Sequence, residues 1–316
     1  MLSVPLALST DASAAVQLGP LAILGVLYER RARALAQAGD PVPAGRRACF
    51  YGGFVVIAVA LIWLGASSRE LLWVQTIEQL LLGDVAALLI VLGLTAPLLA
   101  PVIRIALFER LRVLSHPAIA LLAWAIDVYA WHLPVLYQAA LRYSGIGVLE
   151  HAMLFGLGLN MWMCLLGPLP KPGWFGDMGR LIYIVAARVA GAVLGNIFLW
   201  SNTIFYPDVL TGQARFHLSP LADQSIAGAI MLVEDTLITL GLFWWLFMRS
   251  TREREERRQL LEFASARGLE LSTARAARAV ASGRGAELRR RLEARLEEGE
   301  RASERIRAPS GANQSM

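Results

Sequence analysis

The sequence predicts an all-α protein, a polytopic membrane helix bundle of about seven transmembrane helices with a charged, partly helical tail. Three observations point there. Hydrophobic residues make up 56% of the 316 residues and charged residues only 17%. The apolar residues gather into runs close to the roughly 20 residues that span a bilayer. Basic residues collect between those runs, mostly on alternate sides.

The runs fall near residues 12–28, 48–66, 74–100, 117–138, 148–167, 181–203 and 223–248. The first is short. No basic residue precedes Leu2 to Leu8 and Asp11 interrupts the run, so it reads as a helix rather than a cleaved signal peptide. The third opens on Gln75-Thr76-Ile77-Glu78-Gln79, where Gln75 and Gln79 share a face and Glu78 lies beside them. The fourth begins after Ser115-His116, carries Asp127, and closes on Trp131-His132-Leu133-Pro134 with Tyr137; the fifth begins with Glu150-His151. If the fourth helix continues unbroken to about Tyr137, His132 and His151 stand at one depth on neighbouring antiparallel helices.

The sixth run is rich in small residues, Ala186, Ala187, Ala190, Gly191, Ala192 and Gly195, which let a neighbouring helix approach closely. Asn196 and Asn202 follow, free to bond to another helix. The seventh opens on Pro220-Leu221-Ala222-Asp223-Gln224, a favourable helix start with an acid at the positive end of the dipole. Asp223, Ala227, Met231 and Asp235 then recur every four residues and form one stripe.

Loop charges set the expected orientation. Arg30, Arg31, Arg33, Arg46 and Arg47 follow the first helix, Arg104, Arg110 and Arg112 the third, Lys171 and Arg180 the fifth; the opposite loops hold Arg69, Arg142 and Arg215. By the positive-inside rule the amino terminus lies outside and the tail in the cytoplasm. His132 and His151 then belong to the outer leaflet.

The chain divides into a seven-helix transmembrane domain, 1–248, and a cytoplasmic tail, 249–316. The tail holds sixteen Arg and eleven Glu, which accounts for the whole net charge of +5. Both signs are interleaved at helical spacing, as on a solvated or membrane-surface helix. Leu288, Leu292 and Leu296 offer an alternative contact stripe for self-association or for another protein. Nothing resembles a nucleic-acid motif, and the partners are the lipid bilayer and other proteins. Cys49 and Cys164 stand alone with no Cys-x-x-Cys pair.

Asp84, Asp127, Arg188, Glu234 and Asp235 lie well inside their runs, where each charge costs on the order of 3 kcal/mol. Arg188 and the Glu234-Asp235 pair are at comparable depths, so a buried ion pair is expected. A transporter of ions or small solutes using Asp127, Arg188 and Asp235 is the alternative function. His132 and His151 could also serve as the axial ligands of a haem. Imidazole with the thioether of Met231 is a set that copper accepts. No nucleophile, base and orienting group converge and no phosphate-binding glycine loop appears, so an enzyme is not expected.

Ser115-His116-Pro117, Trp131-His132-Leu133-Pro134 with Tyr137, Leu149-Glu150-His151, and Pro220 to Gln224 with Gly228 and Met231 together resemble the CtaG family of cytochrome c oxidase assembly factors. The resemblance covers roughly residues 17 to 248. It implies a multi-pass protein of the bacterial inner membrane that helps mature a haem-copper oxidase, with an oxidase subunit as partner and copper insertion as its task. His132, His151 and Asp223 match the motif positions, and with Met231 they are the candidate metal ligands. Gln75 and Gln79 stand where the family usually has two histidines, and Gly147 stands where its His-x-x-Glu-His run has the first.

Overall fold

The computed structural model describes residues 4–64, 70–103, 111–168, 171–206, 213, 216–281 and 284–307. Arg69, Arg104, Arg110, Asp208, Arg215 and the Pro309-Ser310-Gly311 end lie outside the described residues. Two compact units are present, Met1–Leu240 and Gly241–Met316. The described elements are helical, with no strand among them: α1 (Val4–Gln37), α2 (Ala44–Leu64), α3 (Leu72–Gly93), α4 (Ala96–Ile103), α5 (Pro117–Trp131), α6 (Pro134–Arg142), α7 (Ser144–Leu166), α8 (Asp177–Trp200), α9 (Pro220–Ala266), α10 (Thr273–Ala281) and α11 (Gly285–Arg307).

Five of these, α2, α3, α7, α8 and α9, are long and apolar enough to cross a membrane, and α5 with α6 makes a sixth if that bent pair is one span. The chain is therefore a multi-pass membrane protein. The first expected run is helical within α1, which is not among the spans found in the described residues. Large apolar side chains on the outer faces of α8 and α9, Ile182, Val189, Val233 and Leu237 among them, are exposed, as lipid-facing positions should be.

Two expected helices are broken, each beside a proline. The run expected as 117–138 bends by 71° between α5 and α6. Pro134 occupies the first turn of α6, and the residue before a proline is driven from helical backbone, so Leu133 is extended. His132 is left as the C-cap of α5, with φ −87° and ψ 0°. The run expected as 74–100 ends at Gly93, and Leu94 is extended ahead of Pro97 in α4. Basic residues cover that second break. Arg46 donates to the carbonyls of Leu94 at 2.8 Å and Leu92 at 3.2 Å, Arg31 to Pro97 at 3.2 Å, and the Tyr28 hydroxyl to Gly93 at 3.2 Å. Cations at a helix C-terminus satisfy orphan carbonyls and answer the dipole.

Residues 81–86 of α3 form a π-helical turn carrying Gly83 and Asp84. Here α7 crosses closely: a Cβ placed on Gly158 would run into the Gly83 carbonyl. A matching approach joins α8 to α9, where a Cβ on Gly228 would stand 2.6 Å from the Gly195 carbonyl. The small residues expected to permit close packing therefore do so on both partners. Gly158→Ala should cost about 1–3 kcal/mol of bundle stability, because backbone cannot move aside as a side chain can. Denaturant titration of the purified protein in detergent checks this. Gly156→Ala serves as the control, since nothing lies within 4 Å of its Cβ position.

In the second unit, α9 continues from its apolar start, while α10 and α11 follow as two further helices. Leu260, Val280, Leu288 and Leu292 form its buried core with Phe263, Leu269 and Leu271 beside them. Leu288 and Leu292, read from the sequence as a contact stripe for a partner, are thus taken up inside the tail itself. Arg267 and Arg289 both lie over the Phe263 ring, at 4.0 and 5.0 Å. Exposed pairs such as Arg289 with Glu293 at 3.1 Å add little each.

Candidate functional site

The site is built on the polar start of α3. Gln75, Thr76, Glu78 and Gln79 are all buried there, an unusual density of polar side chains for a membrane helix. Gln79 Nε2 donates to Glu150 Oε1 at 2.7 Å, and His151 Nε2 lies 3.8 Å from Glu78 Oε1. The Glu150-His151 pair of α7 is therefore read by two consecutive residues of α3. Burying Gln79 and Glu150 is tolerable because they bond to each other, and Thr76 bonds to the Leu72 carbonyl, whereas Gln75 Oε1 has no hydrogen-bond partner.

Asp223, at the start of α9, has no exposed surface. Its Oδ1 accepts from the Trp73 amide and its Oδ2 from the Leu72 amide and Gln213 Nε2, each at 3.0 Å. Leu71, ahead of α3, has no side-chain acceptor, so the cap comes from a residue some 150 positions further on. Asp223, a candidate metal ligand by sequence, is thus placed as a tertiary helix cap with both oxygens accepting hydrogen bonds.

His132 Nδ1 lies 2.7 Å from the Val128 carbonyl, and its ring packs against Phe198 at 5.6 Å. A carbonyl only accepts, so Nδ1 carries a proton, and when the ring is neutral its lone pair is on Nε2. The Tyr206 hydroxyl donates to the His132 carbonyl at 2.6 Å, which ties the break between α5 and α6 to the segment after α8. Tyr206 in turn packs against Tyr137 with ring centroids 4.2 Å apart and the planes tilted by 33°. Asp127, one turn before Trp131, accepts from the indole of that residue at 2.9 Å.

Beneath His132 lies a cavity of about 50 Å³, room for a few waters. His132, Met231, Gln79, Asp84, Arg188 and Asp235 are among its lining residues. Two of the four expected metal ligands, His132 and Met231, thus share one cavity, while His151 and Asp223 are not part of its lining. Among the described residues no group of three or more His, Cys, Asp and Glu side chains is arranged to hold a metal ion.

At the cavity's charged side, Arg188 Nη1 stands 3.3 Å from Asp235 Oδ1 and Nη2 stands 3.6 Å from Asp84 Oδ1. The buried pair expected for Arg188 is present with Asp235, and Asp84 joins it. Glu234 also lines the cavity, and its Oε1 has no hydrogen-bond partner. The guanidinium lies between the rings of Trp124 and Trp162, at 5.8 and 5.6 Å, an arrangement that holds a desolvated cation.

These helices, in this order, fall within one family. A family model described as a cytochrome c oxidase caa3 assembly factor matches residues 26–253. The chain belongs to that family. The match takes in the helices that build the site and stops just inside the tail. Neither a curated protein nor a solved structure matches it.

Sequence reasoning missed several residues that shape the site. Trp124 and Trp162 flank Arg188, but nothing in two isolated tryptophans marks them as partners of a charge. Gln224 bonds the Phe205 amide at 3.0 Å and the Thr203 carbonyl at 3.1 Å, an assignment only the fold reveals. Asn196, expected to reach another helix, donates instead to the Ala192 carbonyl of its own helix at 2.8 Å and accepts from Trp200.

Proposed function

We propose that this chain assists copper insertion into a haem-copper oxidase of the caa3 type, by holding an oxidase subunit and passing Cu(I) across the cavity beneath His132. The shared lining by His132 and Met231 carries the reading. Imidazole and thioether suit Cu(I), and an imidazole whose Nδ1–H is fixed by a carbonyl offers Nε2 in a set orientation. A two-donor site suits a metal that is cargo, because a weakly held ion is released to the next ligand set. The buried Gln79, bonded to Glu150, contributes hydrogen bonding in place of imidazole. In this reading the membrane is a bacterial inner membrane, and the positive-inside rule puts this end of the bundle on its outer side and the tail in the cytoplasm. The role is non-catalytic.

Cu(I) titration of the detergent-purified protein under reducing conditions tests this. The parent is expected to take up about one ion, and His132→Ala with Met231→Leu to lose it, while His151→Ala keeps most of it. In cells the double replacement should lower oxidase activity with this protein still abundant. Unchanged copper uptake in the double replacement would refute the site.

A second reading, transport of ions or small solutes, is favoured by the presence of Arg188 and Asp235 in the same cavity; Asp127 lies outside its lining. It requires flux in proteoliposomes that Asp235→Asn abolishes. Absence of metal or proton flux in the parent retires it.

A further inference from the structure

The tail holds a second cavity, of about 260 Å³, between α10 and α11. Arg275 and Arg278 line it from α10, and Arg284 and Arg291 from the start of α11. Glu287 is the sole carboxylate among its lining residues, and it pairs with Arg291. Four arginines and one carboxylate thus line a space large enough for a small anion. The first amides of α11 add to this positive field, since the residue ahead of them, Arg284, has no acceptor with which to cap them. Glu256 of α9 packs against Gly285 and answers part of that field, although it is not part of the lining.

The same unit contains its own measure of depth. From Gly241 to Met248 helix α9 is apolar and aromatic, with Trp244 and Phe247 exposed. Arg249 follows, lying over the Trp245 ring at 5.7 Å. An aromatic girdle followed by the first charges marks the edge of the hydrocarbon. Glu256 is two turns further along, roughly 10 Å by helical rise. Its contact with Gly285 brings the start of α11 to that level, and the stacking of Arg289 on Phe263 shows α11 running onward from there. The mouth of the arginine cavity is thus within about a Debye length of the bilayer surface, where headgroup phosphates lie.

We infer that this cavity binds the phosphate of an anionic phospholipid headgroup. Guanidinium forks match phosphate oxygens two at a time, and an anionic leaflet concentrates that ligand at this depth. A soluble phosphate has the same chemistry, so the test separates the two sources.

The full chain is purified in neutral detergent and titrated with phosphatidylglycerol or phosphatidylcholine in mixed micelles, with bound lipid counted by native mass spectrometry. Phosphatidylglycerol should be preferred. Arg275→Gln with Arg278→Gln should weaken it by roughly 25-fold, about fivefold for each arginine removed. Arg254→Gln with Arg257→Gln removes the same charge from outside the cavity, at a similar distance from the bilayer, and so controls for the general surface attraction; its loss should be clearly smaller than that of the cavity pair. Both pairs are exposed, so helix content by circular dichroism should not change. Equal losses in the two double variants, or no preference for phosphatidylglycerol, overturn the site. Displacement of the lipid by millimolar inorganic phosphate would keep the anion chemistry and overturn the lipid assignment.

Discussion

Asp223→Ala should be among the most damaging single substitutions in this protein, costing about 3–5 kcal/mol of bundle stability, and it should do so without touching metal uptake per folded molecule. The magnitude follows from what the carboxylate holds. It accepts three hydrogen bonds, two of them from the first amides of α3, and a bond to a charged group contributes roughly 1.5–3 kcal/mol. Removal strands two amides at the positive end of a buried helix, where water does not replace the acceptor. Asp223→Asn keeps one acceptor oxygen and presents an NH₂ where the other amide donates, so it should lose about half as much. Denaturant titration in detergent ranks the three proteins, and Cu(I) titration of the folded fraction completes the test. Wild-type stability with copper lost would instead return Asp223 to the ligand set.

That residue also shows how far the sequence could be read. Spacing placed Asp223, Ala227, Met231 and Asp235 on one stripe of one helix, and all four are buried. Periodicity identifies the face a residue occupies and says nothing of what stands opposite. The opposite partner of Asp223 is a pair of backbone amides, which leave no trace in residue identity. Met231 and His132 line the same cavity for the same reason of shape alone. The membrane class and the approximate positions of most helices were legible, because twenty-residue apolar runs are a strong signal. The break at His132 is written in Leu133-Pro134, but the sequence alone does not decide between a break and a continuous span, because a proline inside a membrane helix is often tolerated.

Arg188 was legible as a charge that needed a partner, and its surroundings set up the second large effect. Asp84, Glu234 and Asp235 all line its cavity, so acids outnumber the guanidinium there. Arg188→Met leaves three acidic groups together in a low-dielectric space, and losing one member of a buried pair costs about 3–5 kcal/mol. Removing an acid acts in the opposite sense on the balance of charge. Asp235→Asn leaves Arg188 its contact with Asp84 and lessens the acidic excess, so it should cost less than Arg188→Met in the same denaturant titration. Arg188→Met combined with Asp84→Asn and Asp235→Asn should recover most of the loss, since the charges that made the single change costly are gone. If Asp235→Asn proves as damaging as Arg188→Met, the acidic excess is not what governs the cluster. Its geometry between Trp124 and Trp162 must then be what the fold depends on.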